Sequence, residues 1–115
     1  MQYVYTLLSG AKGSGNWYSE DIEVGSAKEA NFYVDVTAVS GTSPTLDITI
    51  EEKDPVSGKY FTIVTFSTIS SVTSVRKNYG TSTGELLGNK LRAKAVIAGT
   101  NSQFTFTVSM VGKTH

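Results

Sequence analysis

Two strictly alternating apolar runs, Phe32 to Ala38 and Leu46 to Ile50, are separated by Gly41-Thr42-Ser43-Pro44. In the first, Phe32, Val34, Val36 and Ala38 alternate with Tyr33, Asp35 and Thr37. In the second, Leu46, Ile48 and Ile50 alternate with Asp47, Thr49 and Glu51. A period of two places one set of side chains on each face of a strand, so the apolar set must face a core. Burying each such aliphatic contributes about 1.5–3 kcal/mol, and a one-residue slip would forfeit several of these terms at once. The interruption reads as a tight turn, making Val34–Glu51 a hairpin.

The pattern recurs near the C-terminus. Leu91, Ala93, Ala95 and Ile97 alternate with Arg92 and Lys94, a turn follows at Ala98 to Ser102, and Phe104, Phe106, Val108 and Met110 alternate with Thr105, Thr107 and Ser109. At an offset of 58 residues Gly41 falls on Gly99, Thr42 on Thr100, Leu46 on Phe104 and Ile48 on Phe106. Upstream the match reverses its inward face, because Phe32, Val34 and Val36 fall on Lys90, Arg92 and Lys94. Two equivalent hairpins of this kind supply the inner strands of a two-sheet sandwich.

Val, Ile and Thr account for 33 of the 115 residues, side chains that favour pleated sheet over helix. Further strands are expected at Gln2–Leu8, Trp17–Val24 and Tyr60–Ile69, with Val72–Tyr79 paired next to the last. Turns or loops are expected at Gly25–Glu29, Lys53–Lys59 and Gly80–Gly88. The expected fold is an all-β, two-sheet antiparallel sandwich of about eight strands, with a jelly-roll as one possible connection. Gln2–Leu8 is apolar on both faces, as a strand buried twice or handed to a partner would be. Ser9–Asn16, with three glycines, reads as a flexible loop or hinge. The domain reading is therefore an arm and glycine-rich hinge over residues 1–15 and a β-sandwich domain over 16–115.

Little catalytic chemistry is available. There is no cysteine, and the one histidine is the terminal residue, His115, where an imidazole cannot be held in register for catalysis. The glycine run lacks the lysine and Ser/Thr spacing of a phosphate loop. Carboxylates cluster at Glu20, Asp21 and Glu23 and at Glu51, Glu52 and Asp54. Solvated strand ends account for both, with a calcium site from Glu51 and Asp54 as the sharper alternative. The reading is of a non-enzyme without a cofactor, catalytic residue or metal.

The start, MQYVYTLLSG, does not resemble a signal peptide, and no apolar run reaches the roughly 20 residues of a membrane-spanning helix. Residues 1–54 carry nine acids and three bases, and residues 55–115 seven bases and one acid. Either the halves interleave and neutralise one another, or an acidic face meets a basic face of a neighbouring copy. Nucleic acid and membrane are not indicated as partners. Candidate interface residues are the aromatics Tyr3, Tyr5, Trp17, Tyr18, Tyr33 and Tyr60, with the outward pair Arg92 and Lys94. The aromatics suit inter-sheet packing or a protein interface, and Trp17, Tyr18, Tyr33 and Tyr60 also suit a sugar-stacking platform.

The phrase Asp35-Val-Thr-Ala-Val-Ser-Gly-Thr-Ser-Pro-Thr45, followed by Leu46-Asp-Ile-Thr-Ile-Glu-Glu52, resembles a recurrent signature of small virion proteins of tailed bacteriophages. So does Leu91-Arg92-Ala93 with Gly99-Thr100 and Phe104-Thr-Phe-Thr-Val108. The resemblance spans roughly Phe32 to Gly112 and departs from the pattern at Lys53-Asp54-Pro55-Val56. It implies a β-sandwich structural protein of the head decoration or minor capsid type. Such a protein would be made in the host cytoplasm and sit on the phage head surface. Its partners would be the major capsid protein or other virion proteins, in a homo-oligomer or multicopy array. The alternative is a carbohydrate-binding or adhesin-type domain of a fibre or tail protein.

Overall fold

The computed structural model describes residues 2–24, 29–80 and 90–113, and side chains from Val4 onward. Seven strands are present among them: β1 (Gln2–Gly13), β2 (Gly15–Tyr18), β3 (Ile22–Glu23), β4 (Glu29–Lys53), β5 (Tyr60–Thr65), β6 (Thr73–Gly80) and β7 (Lys90–Lys113). All pair antiparallel, and no helix occurs among the described residues. The fold is the expected all-β sandwich.

Its wiring differs from a pair of hairpins. β4 and β7 are single long strands that pair with each other from Glu29 opposite Lys113 to Glu52 opposite Leu91. At the expected turns the chain does not reverse. It bends, and Thr42 faces Thr100 where the two bends cross. The first half of β4 therefore lies beside the second half of β7, with β1 and β6 outside them. The second half of β4 lies beside the first half of β7, with β2, β3 and β5 outside. One sheet thus turns a corner and folds over as two layers, the manner in which bent strands pass between packed sheets. β6 correspondingly pairs with the first half of β4 rather than next to β5.

The buried face holds Phe32, Val34, Val36, Leu46, Ile48, Ile50, Leu91, Ala93, Ala95, Ile97, Phe104, Phe106, Val108 and Met110 in one cluster. Alternation foretold all of these. Ala38 is the exception: the register shifts between Val36 and Ala38, leaving Thr37 as an extra residue. Ala38 is exposed and Val39 packs against the core in its stead. That bulge also explains the reversed face in the internal repeat. With one extra residue in β4, Phe32 corresponds to Leu91 and Val34 to Ala93, and the inward faces agree.

Ser9–Asn16, expected as loop, is strand except at Ser14. Gly10 lies opposite Phe106 and Lys12 opposite Phe104, and beyond Ser14 Asn16 lies opposite Val96. Gly10 has φ 110° and Gly15 φ 135°, a region open to glycine, so β1 follows β7 round the corner and continues as β2. The strand expected to be buried twice or handed to a partner pairs within its own chain and buries Leu7 and Leu8. Trp17–Val24 is two short strands rather than one. Tyr60–Ile69 is regular only to Thr65, then rejoins the edge where Ile69 exchanges hydrogen bonds with Leu46. The Lys53–Lys59 hairpin loop is present, closed by Asp54 and Lys59. The Gly25–Glu29 turn, the Gly80–Gly88 loop and His115 fall wholly or mainly outside the described residues.

Candidate interaction surface

Leu91 and Ala93 point inward, so Arg92 and Lys94 must point outward from β7. Arg92 faces Glu51 on β4, and its Nε donates to Glu51 Oε1 at 2.8 Å. The Glu51 side chain is 11% exposed and that of Arg92 22%. Tyr60 reaches over from β5 and Tyr18 from β2, with ring centroids 3.4 Å and 4.5 Å from the guanidinium carbon. A cation between two aromatic faces, with a carboxylate beside it, is held by stacking and charge together.

The cluster extends one step further. The Tyr60 hydroxyl donates to the Asp21 carboxylate at 2.8 Å, and Lys53 Nζ lies 3.5 Å from the same group. The hydrogen bond from Tyr60, with Lys53 adding to it, holds the Asp21 carboxyl below its ordinary range. The same bond pushes the Tyr60 phenol up. Lys94 lies 5.9 Å from the Tyr18 ring and Lys53 5.8 Å from the Tyr60 ring. Four of the eight candidate residues, Tyr18, Tyr60, Arg92 and Lys94, therefore meet on the outer face of one sheet.

The other four lie elsewhere. Trp17 alternates to the opposite face from Tyr18, and its Nε1 donates to the Gly13 carbonyl at 2.9 Å with Lys12 5.0 Å above the ring. Tyr33 lies on the other sheet between Ser109 and Arg76. Tyr5 packs half-buried against the core and donates to the Glu23 carbonyl at 3.3 Å. Tyr3 pairs with Gly112 through its backbone. The aromatics do not assemble one stacking platform.

The suggested calcium ligands are occupied by the protein itself. Glu51 serves Arg92, while the Asp54 carboxylate accepts from the Val56 amide at 2.9 Å and the Ser57 hydroxyl at 2.8 Å. Among the described residues no three acidic or histidine side chains converge on a point. Among the ion pairs of the described residues, Glu51–Arg92 and Glu23–Lys90 join the acidic half of the sequence to the basic half. The halves interleave.

Sequence reasoning passed over a second surface. At an edge of the other sheet, Arg76 and Lys77 sit side by side in β6, and Asn78 lies opposite Asn31. Glu29, Ala30, Asn31, Arg76, Asn78, Val111 and Lys113 border a concavity of about 250 Å³. A second, of about 390 Å³, is bordered by Arg76, Lys77 and Asn78. The available signal was a pair of adjacent cations inside an alternating strand that packs Val75 and Tyr79 on the core.

One prediction follows from the Tyr60–Asp21 bond. In Tyr60→Phe the Asp21 carboxyl loses its largest stabilising contact, so its titration midpoint rises toward the ordinary aspartate value. Stability contributed by a carboxyl depressed in the folded state is present above the unfolded pKa and fades as pH falls through the folded one. The variant's deficit should therefore vanish in acid, below the folded midpoint. Carboxyl-carbon NMR titration of Asp21 checks this. An unchanged midpoint would mean that the phenol does not reach the carboxylate in solution.

No protein-family model and no curated protein matches the sequence. Solved structures do share the fold. All of the chain superposes on 32% of a chain from infectious bursal disease virus, Gx strain, with TM-score 0.66 and 13% identity. In the T13 particle of the same virus the figures are 99% of this chain, 31% of that one, TM-score 0.59 and 12% identity. A chain from Bacillus endospore appendages, described as disulfide-linked pili, matches over 99% of this chain and 87% of its own, with TM-score 0.57 and 11% identity. At these identities the likeness is one of fold. The chain spans about a third of the viral chains and most of the appendage chain, and without cysteine it has no disulfide to offer.

Proposed function

We propose that this protein is a non-enzymatic structural component of a virion, a decoration or minor capsid protein on a tailed-phage head. The observation that carries the reading is the fold, a sandwich that recurs as one third of chains in a virus particle. The surface chemistry agrees with it. In the cluster around Arg92, Glu51 and Asp21 pair with Arg92 and Lys53, and the cluster lies on a sheet face rather than in a cleft. Many copies, each contacting the major capsid protein or its neighbours modestly, would reinforce a shell through multivalency. Synthesis in the host cytoplasm and residence on the head surface complete the proposal.

A fibre or tail part is the second reading, favoured by the near full-length match to the appendage chain. Its sugar-binding form is weakened by the dispersal of Trp17, Tyr18, Tyr33 and Tyr60 over different faces. Quantitative mass spectrometry of purified particles separates the two. Head decoration expects hundreds of copies per particle, and saturable rebinding to heads stripped of the protein. A dozen copies or fewer, with no rebinding to stripped heads, would move the protein to the tail or fibre.

A further inference from the structure

We propose that the edge of β6 is a docking strand for an extended acidic segment of a partner protein. The inference deepens the assembly reading above, on which it rests for the class of partner, by assigning that partner a chemistry and a place. β4 is the sole strand partner of β6 among the described residues, so the other backbone edge of Thr73–Asn78 faces outward with its hydrogen-bonding groups unused by any described strand. A peptide laid along such an edge extends the sheet.

The edges differ in how well they suit this. β2 and β3 are four and two residues long. β1 carries an irregularity between Thr6 and Leu8, and the pairing of β5 is broken between Ile50 and Glu51 of its partner. Bulges of this kind blunt an edge. β6 pairs with β4 from Gly80 to Thr73 without a register shift, so its other side presents, over Thr73–Asn78, the regular repeat that a docking strand needs.

Its charges select the occupant. Successive residues of a strand point to opposite faces, so Arg76 and Lys77 flank the edge on both sides. Arg76 belongs with Glu29, Asn31 and Asn78 on the outer face, where Arg76 and Lys113 outnumber the one carboxylate lining the first concavity, and the two concavities share Arg76 and Asn78. Both cations are exposed, and among the described residues neither forms an ion pair. Arg76 can grip a carboxylate through two parallel N–H groups, and the two amides can donate beside it. Cations on an edge ordinarily repel other strands. Here they set Arg76 and Lys77 against their own copies wherever two β6 edges pair with these residues in register, while an acidic strand is admitted. Charge complementarity thus favours an acidic partner over a second copy of this edge.

The test is an amide-resolved NMR titration of the isolated protein with a seven-residue peptide alternating Glu with Val, capped at both ends. The expected result is saturable shifts along Thr73–Asn78 and in the side-chain amides of Asn31 and Asn78. Arg76→Gln should weaken binding about tenfold, the scale of one charge-assisted bidentate contact, and a Gln-for-Glu peptide should bind no better than that. A peptide methylated at every backbone nitrogen has no N–H left to donate to the edge and should lose binding. Equal binding by the methylated peptide would reduce the site to non-specific charge and overturn the proposal. So would equal shifts from sodium glucuronate, which would point to a sugar acid, or an absence of shifts at millimolar peptide. Since the assay contains no particle, its failure leaves the copy-number result standing, and a low copy number leaves the peptide result standing.

Discussion

Ile48→Asp and Phe106→Asp are each expected to leave the chain unfolded at 25 °C. Ile48 is 0% exposed opposite Ala95, and Phe106 is 1% exposed between Gly10 and Val36. Each substitution removes about 1.5–3 kcal/mol of apolar burial. It also places a carboxyl where no donor waits, adding roughly 2–7 kcal/mol even if the group protonates. The total is comparable with the whole stability of a domain this size, about 5–15 kcal/mol. Thr65→Asp, on an exposed edge position, should shift stability by only about 0.5 kcal/mol. Urea unfolding followed by circular dichroism reads all three. Cooperative unfolding of Ile48→Asp or Phe106→Asp near the parent midpoint would place those side chains outside the core.

Which residues face inward was legible in the sequence, because burial in a strand has a period of two that any local reading detects. Which strands pair was not. Gly41-Thr-Ser-Pro44 announces an interruption, but a chain that reverses and one that bends use the same residues, and the difference lies in the partner strand far along the sequence. The Gly10–Gly15 run misled for the same reason. Its glycines serve a corner within a paired strand, and their partner, β7, lies some 90 residues away. Ala38 was lost to a one-residue bulge at Thr37, which no composition rule marks. The surface followed the same division. Alternation gave the outward pair Arg92 and Lys94, whereas Glu51 facing Arg92, and Tyr60 reaching Asp21, depend on the register between strands. The edge at Arg76 and Lys77 became visible only once β6 was seen to have a single strand partner among the described residues.

The corner carries the second large effect, expected for Gly41→Ala and Gly99→Ala. The two bends repeat one another in backbone as well as sequence: Gly41 and Gly99 have φ 108° and 117°, and Ser43 and Asn101 have φ 49° and 51°. They also press directly together. A Cβ on Gly41 would lie 2.6 Å from Ser102 Cα and 2.8 Å from the Asn101 carbonyl oxygen. One on Gly99 would lie 2.8 Å from the Ser43 carbonyl oxygen and 2.9 Å from that of Thr42, and would also strike Ser102 Oγ. These neighbours are mostly backbone of the opposite bend, which cannot move without breaking the β4–β7 ladder. Backbone strain of about 1–3 kcal/mol and overpacking of about 1–3 kcal/mol together predict a loss of about 2–6 kcal/mol for either variant. Gly58→Ala provides the comparison, since Gly58 has φ 76° but open space where a Cβ would go; strain alone should cost it about 1 kcal/mol. Ser102 separates side-chain from backbone crowding. Its hydroxyl is buried without a hydrogen-bond partner, so Ser102→Ala should match or exceed the parent in stability, by up to about 1 kcal/mol. Adding Ser102→Ala to Gly99→Ala should recover only part of the loss, because the Thr42 and Ser43 carbonyls remain. Thermal and urea midpoints for the set check the whole scheme. If Gly41→Ala and Gly99→Ala fall no further than Gly58→Ala, the bends do not pack on one another, and the sheet turns its corner some other way.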